Sequence, residues 1–393
     1  MKNLDVFCPL PWNHISTTSS GSYRLCCNSD ELMNRLSDEE GKTPKIYREN
    51  FSSVRNTELL RDVRSTMKSG EKPEVCRPCY EDEAHFGYSP RLAYVSSFKL
   101  NEVDVLERTK EDGTIESNAF PVQYIDIRLG NLCNLRCRMC NSWSSSSWNQ
   151  EAQDIFKSEN VGLMDWPSQK KEWIKEVLSH SDLQELYLTG GEPTLIEENI
   201  ELLKRLKDLG MDEVRIKINS NLVFLSPAFI KALEGFKNVL FKCSIDSLGA
   251  VNDYIRFPSS FNEIKNNLDL VRNKFSFEIQ STIQVYNIFS CAEWILWCRN
   301  SIGIAPDFYS LREPKWLDIR SMNPAYKAII KKNIEERSSM LLPEDLLVLN
   351  QLLGEVGLNY DTSIENDFKK YTKAMDNYRK QSVGEFIPEL SDL

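Results

Sequence analysis

Three cysteines in one short segment, GNLCNLRCRMCNSW, raise the first chemical question. Cys133, Cys137 and Cys140 are spaced C-x3-C-x2-C. Three thiolates on one tight loop can hold three corners of a cubane iron–sulfur cluster, which ordinarily takes four cysteines. The absent fourth ligand leaves one iron open to a group from outside. Two other readings stay open on spacing alone. Zinc takes four closed ligands, yet the next cysteine after Cys140 is Cys243. Three buried, inert thiols are also an ordinary use of free cysteine.

A second group lies near the N-terminus. Cys8, Gly21 and Cys26 form C-x12-G-x4-C, Cys76 and Cys79 form C-x2-C, and Cys27 sits beside Cys26. Four thiols in two pairs can close a metal site. By chemistry alone, zinc and a second iron–sulfur cluster both suit it. Trp12, His14, Tyr80 and His85 lie near these cysteines in the sequence. Histidine is a metal ligand in many sites, but a hydrogen-bonded structural role is the expectation here.

The elements that must position these groups follow from periodicity. Residues 1–95 are turn-rich and read as a small cysteine-rich domain, and 96–120 as a polar connection. From 121 to 311 short apolar strands alternate with amphipathic helices. Strands are expected at Val122–Leu129, Glu185–Thr189, Glu213–Asn219, Phe241–Ile245, Glu278–Val285 and Asp307–Ser310. Helices are expected between them, one starting at Ser226-Pro227 with serine as cap and proline in the first turn. Residues 312–393 read as helical. Repeated β-α units imply a parallel sheet, barrel-like or doubly wound. Cys291, Trp294 and Cys298 recur at helical spacing, as a core face would. Cys243 alternates with Phe241 and Ile245, so burial is its default, with hydrogen-atom donation a weaker alternative. Tyr371 and Tyr378 are expected to face the core, and Lys369, Lys370, Lys373, Arg379 and Lys380 to form a solvated face, with a cap over the barrel mouth as the alternative.

Composition narrows the classes. The chain has 393 residues, 41% hydrophobic and 27% charged, enough for a large core without staples. Lys plus Arg number 48 and Asp plus Glu 58, a formal charge of −10. Nonspecific nucleic-acid binding rests on phosphate neutralisation, which this balance disfavours. No apolar run of about 18 residues suggests a membrane span. The first residues, MKNLDVFCPLPWNHISTT, lack an apolar leader segment, so a cytoplasmic, reducing setting is expected. Disulfides are rare there, and eleven cysteines then read as metal ligands, redox groups or core.

With the strands placed, the sequence resembles the radical SAM superfamily. The triplet follows the first strand, Gly190-Gly191-Glu192-Pro193 the second, and Asn219-Ser220-Asn221 ends the third. Ser244 and Asp246 end the fourth, Arg256 lies a little beyond in DYIRF, and Asn287 follows the fifth. The family's GGE motif contacts the amino group of S-adenosylmethionine (SAM), and the other positions line its ribose, carboxylate and adenine. Met139 stands where many members have an aromatic residue before the third cysteine. The resemblance covers about residues 121–311.

The resemblance implies a partial (β/α)6 TIM-like barrel with a SAM-binding [4Fe-4S] cluster on Cys133, Cys137 and Cys140. It also implies an external one-electron reductant of flavodoxin or ferredoxin type. The N-terminal pattern resembles the auxiliary-cluster region of SPASM and twitch members, placed here ahead of the core instead of after it. It implies an auxiliary [4Fe-4S] cluster on Cys8, Cys26, Cys76 and Cys79, with Cys27 as a possible substitute. Members with such clusters often modify peptides or proteins, so a peptide is the first expected substrate and dehydrogenation of a sugar or other small molecule the second. A metal-stabilised binding protein without turnover is the alternative from a different class.

Overall fold

The strands of the protein, described here from a computed structural model covering residues 4–30, 33–98 and 100–392, form one eight-stranded sheet. The side chains of His85 and Phe86 lie outside the described residues, so the expectation for His85 does too. The strands are β1 (His14–Thr17), β2 (Tyr23–Arg24), β3 (Tyr124–Arg128) and β4 (Glu185–Thr189), then β5 (Arg215–Ser220), β6 (Val239–Ser244), β7 (Ser276–Ile283) and β8 (Asp307–Ser310). Their order is β2-β1-β3-β4-β5-β6-β7-β8. The pairs β1–β3, β3–β4, β4–β5, β6–β7 and β7–β8 are parallel, and β2 is antiparallel to β1. The fold is mixed α/β, and the sheet is open, with edges at β2 and β8, so no closed barrel forms.

Strands β3 to β8 are the six expected β-α units, in sequential order. Burial alternates cleanly along β6: Phe241 and Cys243 are buried, Lys242 and Ser244 half-buried. Cys243 therefore lies on the strand face opposite Ser244 and is buried. The helix Pro227–Leu233 starts as expected, with Ser226 accepting from the Phe229 amide. In the helix Cys291–Ser301, Cys291, Trp294 and Cys298 are buried core.

The chain divides into two compact units. The first takes the chain up to Leu132 together with Leu163–Ile218 and Ser226–Val239. Ile15, Ile125, Ile127, Leu186, Leu188, Ile216 and Ile218 from its strands are fully buried. Trp173 from the helix Glu172–Leu178 and Leu202, Leu203 and Leu206 from the helix Glu197–Asp208 are fully buried as well.

The N-terminal stretch is more regular than its sequence suggested. It contains helices at Glu58–Ser69, Arg77–Phe86 and Pro90–Ser97 and adds β1 and β2 beside β3. Leu60, Val63, Arg64 and Met67 line the buried face of the first of these helices at i, i+3, i+4 and i+7. The stripe is hard to see because Arg64 reads as a surface charge. It is instead buried, donating to the carbonyls of Gly113, Pro11 and Arg55 and to Asn56 Oδ1. The polar stretch 96–120 likewise carries a helix, Glu102–Glu107, and buries Phe98, Val105, Ile115 and Phe120.

The second unit takes Cys133–Gly162, Asn219–Leu225 and Leu240–Leu393. One apolar cluster joins Ile283 of β7, Tyr254 and Tyr286 to Phe368, Tyr371 and Met375 of the helix Thr362–Arg379. Tyr378 departs from expectation. It lies in the helix's last turn, is exposed, and donates to Asp154 Oδ2 at 2.8 Å. Arg379 departs the other way and is buried. Among the described residues no helix is long and apolar enough to cross a membrane.

His14 stacks on Tyr124, with ring centroids 4.5 Å apart, and burial pushes its pKa from an ordinary 6.5 down to about 4. The unfolded chain then binds a proton that the folded chain refuses. Stability from this histidine is present above pH 6.5 and is lost as pH falls through 4, about 3 kcal/mol in all. His14→Phe, which keeps the stack, is expected to flatten the pH dependence of urea unfolding between 6.5 and 4. An unchanged slope in that window contradicts the assignment.

Candidate functional site

The cysteine loop leaves β3 and belongs, from Cys133 onward, to the second unit. It has no strand or helix of its own until Trp148, so its backbone must find partners elsewhere. The partners are specific. Trp148 Nε1 donates to the Cys137 carbonyl at 2.9 Å, and Ser147 Oγ to the Cys133 carbonyl at 2.6 Å. Ser145 Oγ donates to the Leu135 carbonyl at 2.6 Å. The Arg136 and Arg138 amides donate to the Phe257 and Ile255 carbonyls at 2.6 and 2.8 Å. Cys140 N closes a turn onto the Cys137 carbonyl at 3.0 Å. Side chains and distant backbone thus hold the loop, and all three thiols are half-buried and outside any disulfide. Burial raises the Cys137 pKa, while the cations Arg256 and Arg379 oppose that rise.

The expected companions in this unit fall into two sets. Asn221 Nδ2 donates to Asn134 Oδ1 at 2.8 Å and lies 3.9 Å from Cys133 Sγ, so the end of β5 reaches the cysteine loop directly. Ser244 Oγ lies 3.2 Å from Asn219 Oδ1, joining the ends of β6 and β5. The second set satisfies itself. Arg256 holds Asp246 by two contacts, Nε–Oδ2 at 2.8 Å and Nη2–Oδ1 at 3.0 Å. Asp246 Oδ1 also receives the Thr282 amide. Asn287 Nδ2 donates to the Asp246 and Thr282 carbonyls, and its Oδ1 accepts from Gln284 N. These three side chains brace the ends of β6 and β7.

The GGEP segment lies in the first unit, at the end of β4. Gly190 has φ +124°, and a Cβ on it would stand 3.1 Å from the Gly130 carbonyl oxygen. A Cβ on Gly191 would stand only 2.2 Å from the Leu132 carbonyl oxygen. Glu192 N donates to that same oxygen at 2.7 Å. The glycines therefore serve close approach to the chain just before Cys133, which a plain turn would not require. The Glu192 carboxylate is buried and accepts from Thr194 N and Oγ1. Asn199 Nδ2 ties down the Pro193 carbonyl at 2.9 Å.

The N-terminal thiols also lie in the first unit. Cys8, Cys26, Cys76 and Cys79 are free and close enough to affect one another electrostatically: Cys76 feels the other three, and Cys8 feels Cys26 and Cys79. Burial pushes Cys79 up to about 12 and raises Cys8 and Cys76 strongly. Cys8 and Cys79 are buried and Cys26 and Cys76 half-buried, and thiolate sulfur is the donor a soft metal takes. Cys27 belongs to a different neighbourhood. Besides Cys26, its charged neighbours are Asp126, Arg24 and Arg128. Gly21, at φ +75°, makes the turn between β1 and β2. Among the described residues no three His, Cys, Asp or Glu side chains are arranged to hold a metal ion.

Sequence reasoning missed a set of residues around the cysteine loop: Arg138, Glu151, Tyr371, Asp376 and Arg379. They form buried pairs, Arg138 Nη2–Asp376 Oδ1 and Arg379 Nη2–Glu151 Oε2, both at 2.6 Å. The partners stand more than 200 positions apart in the chain, beyond the reach of any local pattern. The position of Arg138, between two cysteines of the triplet, was the only signal available.

Residues 127–286 match the model of the Radical SAM superfamily. Among curated proteins, the probable GTP 3',8-cyclase of Saccharolobus islandicus is 28% identical over 103 residues, 26% of this chain and 29% of that protein. The GTP 3',8-cyclase of Alkaliphilus metalliredigens is 26% identical over 150 residues, 38% of this chain and 40% of that protein. The chain thus spans well under half the length of these relatives. Among solved structures, anSMEcpe with bound AdoMet aligns at a TM-score of 0.40 and 16% identity, covering 55% of this chain and 57% of that one. Streptococcus suis SuiB bound to S-adenosylmethionine aligns at 0.38 and 13%, covering 70% and 63%.

Gly191→Ala is expected to force the Leu132 carbonyl aside, lowering unfolding stability by about 1–3 kcal/mol, as overpacking does. Urea unfolding of the two proteins measures this, and an unchanged midpoint and slope contradict the close approach.

Proposed function

We propose that this chain, a radical SAM superfamily enzyme, is an oxidoreductase that acts on a peptide or protein and carries a second [4Fe-4S] cluster in its N-terminal segment. The observation that carries the reading is the set of half-buried thiols Cys133, Cys137 and Cys140 on one loop after β3 whose backbone is secured from outside. When bound, a cluster there supplies one electron to SAM, and the resulting 5'-deoxyadenosyl radical takes a hydrogen atom from the substrate.

The chain's own residues hold and orient. Cys133, Cys137 and Cys140 provide three thiolates and leave a fourth corner open. The buried Glu192 carboxylate is a charge-assisted acceptor for the ammonium of SAM, and Gly190 and Gly191 let main chain approach it closely. Asn219, Asn221 and Ser244 offer amide and hydroxyl groups at neighbouring strand ends for the ribose and carboxylate. Asp246, Arg256 and Asn287 complete the cofactor site by fixing the ends of β6 and β7.

Cys8, Cys26, Cys76 and Cys79 hold the auxiliary cluster in this proposal. Their mutual electrostatic contact supports that set over one with Cys27. A second cluster held there would supply an electron acceptor for a substrate radical or an anchor for the substrate. The division into an N-terminal cluster domain (1–95), linker (96–120), core (121–311) and helical region (312–393) belongs to the same proposal. So do a flavodoxin- or ferredoxin-type reductant and a cytoplasmic setting. A second reading, a small-molecule substrate such as a purine nucleotide, is favoured by the GTP 3',8-cyclases among the relatives.

The test is anaerobic purification of the full chain. Two cubanes predict about eight irons per chain, a broad brown absorption, and release of 5'-deoxyadenosine on reduction with SAM present. Changing Cys133, Cys137 and Cys140 together to Ala is expected to abolish that release. The fourfold variant at Cys8, Cys26, Cys76 and Cys79 is expected to lose about half the iron. A colourless, zinc-loaded protein, or cleavage retained in the triple variant, overturns the reading.

A further inference from the structure

The residues alternating with the ligands of the cysteine triplet are as constrained as the ligands. Arg136 and Arg138 flank Cys137, and each is tied into a buried network within the second unit. The Arg138 side chain is fully buried. Its Nη2 donates to Asp376 Oδ1 at 2.6 Å and Gln381 Oε1 at 3.0 Å, and its Nε to the Tyr254 carbonyl at 3.0 Å. Its guanidinium carbon sits 3.6 Å from the centre of the Tyr254 ring, so the remaining face is covered by a π system. The Arg138 carbonyl accepts from Tyr371 Oη at 2.5 Å. Two residues earlier, the Arg136 carbonyl accepts from Arg379 Nη2 at 2.6 Å. Arg379 also grips Glu151, which in turn receives Arg136 Nη1 at 3.1 Å.

Asp376, Tyr371 and Arg379 all come from the helix Thr362–Arg379, near the end of the chain. Asp376 is itself fixed on its other oxygen by the Val383 amide at 2.7 Å and on Oδ1 by Tyr254 Oη at 2.9 Å. Buried ion pairs are a poor means of gaining stability, because desolvation offsets most of their attraction. Two of them, together with a tyrosine hydroxyl, converge on the main chain and side chains of 136–138. A generic packing role needs neither this convergence nor this polarity.

We propose that the C-terminal helix Thr362–Arg379 is the mount of the cysteine loop, and that Arg138, Asp376, Tyr371 and Arg379 are positioning residues for Cys137 and Cys140. This rests on the reading that the triplet binds a cluster. Arg138 does two things. Its amide, carbonyl and guanidinium fix the loop between Cys137 and Cys140, and its permanent charge, balanced by Asp376, sets the electrostatic environment in which the cluster gains an electron.

Cluster reduction followed by electron paramagnetic resonance, with kcat and KM for SAM, tests this on the anaerobic full-length chain. Arg138→Gln removes a cation and is expected to make reduction harder, and Asp376→Asn removes an anion and is expected to make it easier. Each is expected to change the reduced-to-oxidised ratio at fixed potential about tenfold, equivalent to about 59 mV for one electron. A purely structural role gives no reason for opposite signs. Arg138→Lys keeps the charge and loses the planar fork, so it is expected to retain the wild-type potential while kcat falls several-fold. Tyr371→Phe, a milder change that keeps the ring, is expected to lower kcat several-fold with KM for SAM unchanged, and it carries the test if the charge variants do not fold. Wild-type kcat in Tyr371→Phe, or equal potentials in folded Arg138→Gln and Asp376→Asn, overturns the inference. A wild-type protein with no cluster on the triplet overturns the proposed function instead, so the two failures are distinguishable.

Discussion

The cysteine loop sets three thiols at an irregular spacing, while the peptide groups around them need hydrogen-bond partners. That conflict governs the second unit. A strand or helix would satisfy the backbone of 133–147 but would impose its own side-chain spacing. The protein leaves the segment irregular and supplies partners one by one: an indole for the Cys137 carbonyl, hydroxyls for Cys133 and Leu135, and distant carbonyls for the Arg136 and Arg138 amides. Each partner restores a hydrogen bond that burial would otherwise strand. The shape of the loop is thus decided by residues outside it.

The same logic explains the neighbouring strand ends. Asp246, Arg256 and Asn287 satisfy one another and hold β6 and β7 at their last residues. Asn219, Asn221 and Ser244 link the ends of β5 and β6 to one another and to the cysteine loop. In the first unit, the closeness of Gly191 to Leu132 does comparable work with sterics alone, since any side chain there would push on the chain leading into Cys133.

The N-terminal segment solves a different problem. Its thiols come from three places: before β1, after β2 and at the start of the helix Arg77–Phe86. The backbone beside them is tied down by other groups. Arg91 donates to the Phe7 carbonyl beside Cys8, Tyr80 to the Val6 carbonyl, and Asp30 N to the Val75 carbonyl beside Cys76. Parallel pairing of β1 with β3 fastens this segment to the sheet. Cys8, Cys26, Cys76 and Cys79 are spread over 72 positions of the chain.

Much of the scaffold was legible in the sequence because period and spacing are local properties. The six strands β3–β8, the Ser226 cap and the buried face of Cys291, Trp294 and Cys298 follow from alternation and helical repeat. The triplet and the GGEP segment were visible as residue types at fixed offsets. Strands β1 and β2 were not, since four and two residues are too few to show a period. The helix Glu58–Ser69 hid behind an arginine that is buried by carbonyls elsewhere. The sequence by itself determined which residues can do chemistry and the order in which strands present them. Only the tertiary structure decided which of those side chains are already spent on one another, and that Arg379, far along the chain, holds the loop at 136. Charge pairing depends on distance in space, and residues hundreds of positions apart leave no local trace of it.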